Sequence, residues 1–469
     1  MLTVPIDTTS SIPIYEQLYG YIKNEIKNRN LPIHSKLPST RNLSKHLGIS
    51  RNTVDMAYAQ LLSEGYINAI PKSGYYINEV TDLTNLTPKK PFYNQEKVNN
   101  KEKYLYDFSP FAIDIKSFPY NIWRKLQKDC MNDYNNDLFL LGENQGDMPL
   151  RQAITAYLHS SRGVNCSSEQ IVVGAGADYL LLLLTQILKL TTSSLSVAME
   201  NPTYKRAYHI FMGMDIPVTP VDLDQSGLIL ESLYDNAPHI VYVTPSHQYP
   251  LGVVMPIKRR LELLKWASLT PNRYIIEDDH DSEFRYKGKP IPSLQGMDTA
   301  DKVIYLGTFS RSIAPAIRVG YMVLPKDLLL LYQNYVSYYS CTVSRVDQYI
   351  LTRFINDGYF ERHLNRIRTL YKNKHDILMQ ALKKFKDKIQ IEGEHAGLHL
   401  VVKFPTIASE EIILEKAKIC GIKLHGLTRH YIVKNEEDCP TILLGYANLS
   451  EESIIEGLDL LYENIKDLL

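Results

Sequence analysis

Short apolar runs alternate with helical stretches through the middle of the chain, and this order constrains the fold most strongly. Five runs have the length and composition of buried strands, and they are Ile171–Val173, Leu195–Met199, Ile240–Val243, Tyr274–Ile276 and Val303–Leu306. Such an order is typical of an α/β fold, in which helices cover both faces of a mostly parallel sheet. We also expect a smaller C-terminal α+β subdomain from about residue 345.

Helical periodicity dominates the sequence before these strands. Apolar residues recur every four positions from Ile14 to Ile26, which predicts an amphipathic helix. A second, short helix is predicted between Ser39 and Gly48. Ser50 is a favourable N-cap for a third helix, whose apolar stripe consists of Val54, Ala57, Tyr58, Leu61 and Leu62.

A β-hairpin is predicted directly after the third helix. Two short runs, Tyr66–Ala69 and Tyr75–Asn78, flank a Pro-Lys-Ser-Gly turn. Three helices followed by a hairpin predict a winged helix-turn-helix over residues 1–80. Residues 81–103 are rich in Asn and Lys, lack periodicity and predict a flexible linker. The larger domain is expected to span residues 104–469.

The composition excludes several classes of protein. Hydrophobic residues make up 44% of the chain and charged residues 22%, which is typical of a globular protein. No apolar run approaches the roughly 18 residues that suggest a membrane span, so no membrane partner is expected. The five cysteines are scattered without metal-ligand spacing, which predicts free thiols, a cytoplasmic location and no metal site.

The exposed start of the third helix is the candidate DNA-reading surface. Such an end enters the major groove in helix-turn-helix proteins, where Arg and Asn side chains contact base edges. Further candidates lie at the start of the second helix and at the tip of the wing. The candidate DNA-binding residues are Arg41, Ser50, Arg51, Asn52, Thr53, Lys72 and Gly74. Residues 1–80 hold eight Lys and Arg against six Asp and Glu, so affinity depends on charge placement and dimerisation. A winged helix that binds protein is the alternative.

The stretch LPSTRNLSKHLGISRNTVDMAYAQLLSEGYI resembles the GntR-type DNA-binding domain. Residues from about 104 onward resemble the fold-type I aminotransferase domain of MocR/GabR-type transcription regulators. The stretches that carry this second resemblance are NPTYKRAY, TPSHQYPLGVVMP, IIEDDHDSEF and YLGTFSRSIAPAIRVGYMVLP. The resemblance implies a promoter-binding homodimer, assembled head to tail, whose second domain holds pyridoxal phosphate as part of an effector sensor.

The resemblance also implies a set of cofactor-binding residues. Asp278, at the end of a predicted strand, matches the carboxylate that keeps the pyridine nitrogen protonated. Gly176 supplies the start of a helix for the phosphate, Arg318 matches the phosphate-binding arginine, and Thr308 adds a hydroxyl group.

Arg311 stands at the position where the family has the lysine that forms a Schiff base with the cofactor. The family motif Thr-Phe-Ser-Lys reads Thr308-Phe309-Ser310-Arg311 here. A guanidinium group stays protonated and is not a usable nucleophile, so no Schiff base is expected. Whether Arg311 is natural or engineered stays open, although companion changes favour natural divergence.

Three neighbouring positions also depart from the family pattern. His280 replaces a tyrosine that bonds the ring hydroxyl of the cofactor, Ala177 replaces a hydroxyl residue, and Asp178 replaces a glutamine. Asp178 would repel a phosphate unless it pairs with Arg311 or Arg318. We therefore expect non-covalent pyridoxal phosphate at best, and absence of the cofactor is the alternative.

The effector-binding positions of the family are retained. Tyr204, Arg206 and Arg429 match residues that bind amino-acid effectors in the GABA-sensing member, with Arg429 matching the carboxylate-binding arginine. The sequence therefore predicts a DNA-binding regulator whose degenerate aminotransferase-like domain senses a small amino-acid or anionic ligand. The alternatives are an active aminotransferase with a DNA-binding tail and a ligand-independent dimeric repressor.

Overall fold

The structure, a computed structural model, describes residues 2–80, 104–286, 288, 291–406, 408–434 and 439–469. The chain divides into two compact units, Met1–Lys101 and Glu102–Leu469. The predicted linker, residues 81–103, lies outside the described residues. Among the described residues, no helix is long and apolar enough to cross a membrane.

The first unit is a winged helix-turn-helix, as the sequence predicts. Its elements are α1 (Ile14–Lys27), α2 (Thr40–Leu47), α3 (Arg51–Ser63), β1 (Ile67–Ile70) and β2 (Gly74–Ile77). The two strands pair antiparallel, with Ile67 opposite Ile77. One face of each helix supplies the core, whose buried residues include Leu18, Ile22, Ile26, Leu43, Val54, Ala57, Tyr58 and Leu61.

Two details of this unit differ from the prediction. Leu62, expected in the apolar stripe of α3, is exposed, whereas the other four residues of that stripe are buried. Ser50 occupies the N-cap position of α3, but its hydroxyl accepts no capping hydrogen bond. Ser39 does cap α2, accepting a hydrogen bond of 3.2 Å from the backbone N–H of Asn42. α2 then ends at Gly48, whose φ of 65° suits glycine.

The second unit is built on an eight-stranded sheet. After β3 (Tyr106–Asp107), the strands of this sheet are β4 (Ile171–Gly174), β5 (Val197–Asn201), β6 (Val218–Asp224), β7 (Gly227–Leu228), β8 (Ile240–Val243), β9 (Tyr274–Asp278), β10 (Val303–Thr308) and β11 (Gly320–Val323). They lie in the order β4-β11-β10-β9-β8-β5-β6-β7. The central strands β10, β9, β8, β5 and β6 are parallel, whereas β11 runs antiparallel to both of its neighbours.

Helices cover both faces of this sheet, as its continuously apolar strands require. The adjacent residues Val172 and Val173 point to opposite faces and belong to different apolar clusters. The helices before residue 345 are α4 (Tyr120–Cys130), α5 (Met148–Arg162), α6 (Ala177–Lys189), α7 (Lys205–Gly213), α8 (Glu231–Asn236), α9 (Ile257–Ser268) and α10 (Lys326–Leu331).

The C-terminal part adds a smaller α+β arrangement. Its elements are α11 (Arg345–Asn356), α12 (Tyr359–Leu382), β12 (Gln390–Glu392), β13 (His399–Lys403), α13 (Glu410–Ile419), β14 (Ile422–Lys423), β15 (His425–Gly426), β16 (Thr441–Gly445) and α14 (Glu451–Ile465). β12, β13, β16 and β15 form an antiparallel sheet, and β14 pairs with β3. The α/β fold with a smaller C-terminal α+β part therefore agrees with the sequence prediction.

Candidate functional site

A cavity of about 230 Å³ lies where the central parallel strands end. Thr244 follows β8, and Asp278 and Thr308 are the last residues of β9 and β10. Open α/β sheets bind ligands at this edge because the loops after parallel strands converge there. The lining residues are Phe111, Ala177, Asp178, Tyr204, Arg206, Thr244, Tyr249, Asp278, Asp279, His280, Glu283, Thr308, Ser310, Arg311, Pro315 and Arg318.

Asp278 is held at the floor of this cavity by Tyr242, whose hydroxyl donates a hydrogen bond to the carboxylate. Burial raises the pKa of Asp278 to about 7, helped by the neighbouring carboxylates of Asp279, Asp178 and Asp281, while the hydrogen bond from Tyr242 opposes the rise. Near neutral pH this carboxyl group is therefore divided between its charged and neutral forms.

Gly176 and Arg318 meet at the start of α6. Gly176 is the N-cap residue, with a φ of 84°, and a Cβ atom there would lie 2.8 Å from a guanidinium nitrogen of Arg318. The absence of a side chain thus lets Arg318 lie against the turn and donate a hydrogen bond of 3.0 Å to the carbonyl of Ala175. Gly176 itself does not line the cavity, although Ala177 does.

Asp178 lies between two arginines at this end of the cavity. Its carboxylate is 3.5 Å from the guanidinium of Arg318 and 3.6 Å from that of Arg206. Both arginines are substantially exposed, at 47% and 71% of their side chains. The carboxylate of Asp178 therefore already pairs with the two arginines that would attract an anionic ligand.

Arg311 turns away from Asp178 and pairs with Asp281 instead. Its Nε atom lies 3.3 Å from a carboxylate oxygen of Asp281, which is fully buried. The same guanidinium donates hydrogen bonds to the carbonyls of Pro110, at 2.7 Å, and Ala112, at 3.4 Å. Burial raises the pKa of Asp281, but Arg311 and the neighbouring histidines outweigh it and lower the pKa to about 2. Asp281 is therefore a charged partner of Arg311.

His280 lies in a cluster of buried aromatic rings beside Arg311. Its ring is nearly parallel to that of His247, with centroids 6.1 Å apart, and lies 4.8 Å from the ring of Tyr249. Burial lowers the pKa of His280 to about 3, although Asp281 opposes the shift. Burial also lowers the pKa of His247, to about 4. Both imidazoles are therefore neutral near pH 7.

The predicted effector-binding residues do not all meet. Tyr204 and Arg206 line the cavity, but Arg429 is not among the lining residues and its side chain is exposed. Arg429 sits in a single helical turn, Thr428–His430, in which His430 is the residue that points inward. Arg429 is thus placed outside the lining residues, and its role in effector binding stays a prediction.

Two side chains that the sequence analysis did not propose as site residues, Arg162 and Tyr305, hold Asp279 in the cavity wall. Arg162, at the end of α5, is nearly fully buried and donates hydrogen bonds of 3.0 and 2.7 Å to the two carboxylate oxygens of Asp279. It also donates a 2.8 Å bond to Ser246, and the Tyr305 hydroxyl donates to Asp279. No motif marks Arg162 in the sequence, since its partner lies more than a hundred positions away.

The candidate DNA-binding residues lie on the surface of the first unit. The side chain of Arg51 is 66% exposed in the first turn of α3, and its Nε atom lies 3.4 Å from Asp55. Asn52 follows it, exposed, and Thr53 is half-buried. The other candidates that reach solvent are Arg41, Ser50, Lys72 and, in part, Gly74. The start of α3 therefore presents an arginine and an asparagine to solvent and not to the core.

The cavity does not fit pyridoxal phosphate in covalent form. None of its described lining residues is a lysine, and Lys302 lies before β10, at the opposite end of the strand from Arg311. Asp178 already pairs with Arg318, the expected phosphate ligand. Asp278 is still placed to pair with a pyridine nitrogen, since its carboxyl group lines the cavity at the end of β9.

Comparison with known proteins identifies both units. The model of the family "Bacterial regulatory proteins, gntR family" matches residues 14–77, and that of "Aminotransferase class I and II" matches residues 116–424. The HTH-type transcriptional regulator YdeL of Bacillus subtilis is 38% identical over 97% of this chain and 98% of its own. The probable rhizopine catabolism regulatory protein MocR of Rhizobium meliloti is 31% identical over 97% and 94% of the two chains.

A solved structure supports the same assignment of the second unit. Kynurenine aminotransferase of Pyrococcus horikoshii superposes with a TM-score of 0.68 and 26% identity, covering 79% of this chain and 92% of that one. The resemblance inferred from the sequence motifs is thereby confirmed. The chain belongs to the MocR-type family of HTH transcriptional regulators, in which a GntR-type DNA-binding domain is joined to an aminotransferase class I and II domain.

Proposed function

We propose that the aminotransferase-like domain of this regulator senses a small amino-acid or anionic ligand and performs no transamination. The observation that carries the proposal is the cavity itself, which presents two partly exposed guanidinium groups, Arg206 and Arg318, and no lysine among its described lining residues. Guanidinium groups bind carboxylates and phosphates with paired, charge-assisted hydrogen bonds. Transamination needs an amine that attacks the cofactor and carries its proton, and Arg311 supplies neither function.

The proposal extends to a cytoplasmic homodimer that binds promoter DNA. A run of large apolar side chains, Phe139, Leu140 and Leu141, is exposed in the isolated chain at 65%, 65% and 89%. Contiguous exposed apolar residues are typical of surfaces covered by another chain. Two-fold symmetry would also let two weakly basic winged helices read two half-sites.

The enzyme alternative is tested by chemical trapping. We expect wild-type protein, incubated with excess pyridoxal phosphate and reduced with borohydride, to give no modified lysine in any cavity-lining peptide. The physical reason is that Arg311 stands where the family resemblance places the Schiff-base lysine, and none of the described lining residues is a lysine. Peptide mapping by mass spectrometry is the measurement, and Arg311→Lys, processed in parallel, is the matched variant. A reduced adduct on a lysine inside the cavity would restore the enzyme hypothesis.

Ligand binding is tested with arginine variants. The ligand is first identified in a thermal-shift screen of amino acids and small anions. We expect Arg206→Ala to weaken its binding by about 5- to 30-fold, or about 1–2 kcal/mol, because a charge-assisted contact is lost. Lys258→Ala removes the same charge from an exposed site on α9 and serves as the control. Isothermal titration measures both. If Arg206→Ala leaves the affinity unchanged and Arg429→Ala lowers it, the ligand binds at the exposed turn Thr428–His430 and not in the cavity.

A further inference from the structure

Three side chains with metal-binding atoms converge beside the cavity. His247 lies in the loop after β8, and His280 and Asp281 follow the end of β9. One ligand atom from each residue lies within 4.8 Å of the others. Because β8 and β9 are neighbouring parallel strands, their following loops bring together residues that are 33 or more positions apart in the chain.

Most of the polar atoms in this group lack a hydrogen-bond partner. Both ring nitrogens of His247 and the Nδ1 atom of His280 are buried without one. The two carboxylate oxygens of Asp281 are also buried and make no hydrogen bond, although one of them lies 3.3 Å from Arg311 in an ion pair. Buried polar atoms are almost always hydrogen-bonded, so such a concentration calls for a ligand. His425 and His430 also have unpartnered ring nitrogens, but among the described residues only the first three come together with metal-ligand spacing.

We propose that His247, His280 and Asp281 bind a divalent transition-metal ion of the zinc or cobalt class. Two imidazole nitrogens and one carboxylate oxygen suit such ions, whereas magnesium and calcium prefer ligand sets made of oxygen alone. Three protein ligands leave a coordination position open. His280 lines the cavity, so a bound ion would lie next to the space where an effector would lie.

Other charged and titratable groups surround the site and set its affinity. Arg311 is 3.3 Å from Asp281, and its positive charge competes with a metal ion for that carboxylate. The ring of His399 lies 5.9 Å from that of His247, and its Nε2 atom bonds the carbonyl of Pro250. The ligand atoms must also approach by about 1–1.5 Å to reach the spacing around a four-coordinate ion. The hydrogen bonds of Arg311 to the Pro110 and Ala112 carbonyls do not involve Asp281, so they would still be available to Arg311 if Asp281 bound a metal ion.

The test uses tag-free, full-length protein freed of metal with a chelator. Titration with Co²⁺ is expected to give visible d–d absorption that saturates at one ion per chain and is removed by Zn²⁺. His247→Ala and His280→Gln should each weaken Co²⁺ binding at least tenfold. Arg311→Met should strengthen it at least tenfold, because it frees Asp281. The matched control is His425→Ala, which removes another buried histidine with unpartnered nitrogens.

The outcomes decide the proposal even where a variant folds poorly. Near-ultraviolet circular dichroism checks each variant, and the gain in Arg311→Met does not depend on either histidine variant. Absence of d–d absorption in wild type and in Arg311→Met overturns the site. So does Co²⁺ binding that is unchanged in both His247→Ala and His280→Gln. Loss in His425→Ala equal to that in His247→Ala would likewise overturn it, since the metal would then lie elsewhere.

Discussion

Replacing Arg311 with methionine is expected to lower the free energy of unfolding by about 3–5 kcal/mol at pH 7. The substitution keeps the length of the side chain but leaves Asp281, which is fully buried, without its cation. Breaking a buried ion pair by removing one partner costs this much because the remaining charge stays desolvated. Urea denaturation in the presence of a chelator measures the change, and Arg311→Lys, which keeps the charge, should lose much less.

Two controls separate the buried charge from a general effect of arginine loss. Arg353→Met breaks the exposed pair with Asp357 on α11 and should cost less than about 1 kcal/mol. The double variant Arg311→Met/Asp281→Asn removes both charges and should recover part of the stability. A loss in Arg311→Met no larger than in Arg353→Met would contradict the ion pair.

The same substitution should change how stability depends on pH. In wild type the pKa of Asp281 is about 2, below its ordinary 3.8, so the pair stabilises the fold above about pH 4 and this contribution fades as the pH falls toward 2. Without Arg311, the main charge that offsets burial is lost, and the pKa of Asp281 rises. The carboxyl group then takes up a proton as the pH falls, so the gap between the two proteins should be widest near pH 7 and shrink toward pH 4.

Arg51→Ala is expected to weaken binding to the cognate promoter by about 5- to 150-fold, or about 1–3 kcal/mol. Arg51 lies exposed in the first turn of α3, and an arginine at the start of a recognition helix can make a bidentate contact with a guanine edge. Loss of that contact should also relax base preference at one position of the site. Fluorescence anisotropy with cognate and single-substituted DNA fragments measures both quantities at a fixed salt concentration.

Two further variants distinguish the loss of base contacts from the loss of positive charge. Arg51→Lys keeps the charge but not the planar pair of donors, so it should lose base preference while keeping much of the non-specific affinity. Lys27→Ala removes one positive charge from the last turn of α1 and should leave base preference unchanged. Equal binding by wild type and Arg51→Ala would mean that α3 does not read the bases.

Local patterns were sufficient to predict most of the fold. The repeat of Leu18, Ile22 and Ile26 gave α1, and all three are buried. Strands β4 and β8 begin at the residues that their apolar runs predict. Such patterns are predictive because the burial of one helix face, or of a whole strand, is visible in the spacing of apolar residues along the sequence. The antiparallel strand β11 was not predicted, since pairing direction depends on contacts between distant segments.

The candidate site was predictable only where it follows from strand ends. Asp278 and Thr308 close β9 and β10, and both reach the cavity. The partner of Arg311 was not predictable, because Asp281 is one of several carboxylates in the same short stretch and only the turn after β9 selects it. The exposure of Arg429 was not predictable for a similar reason, since in the short helical turn Thr428–His430 it is His430 that is buried.

Asp178 gives the proposed sensor a built-in threshold. Because its carboxylate is tethered between Arg206 and Arg318, it acts on both arginines at a constant effective concentration that dilution does not change. Under the proposed function, an anionic ligand must therefore offer both arginines a better partner than Asp178 in order to replace it. The proposed sensor would therefore respond at a higher ligand concentration than a sensor without this carboxylate.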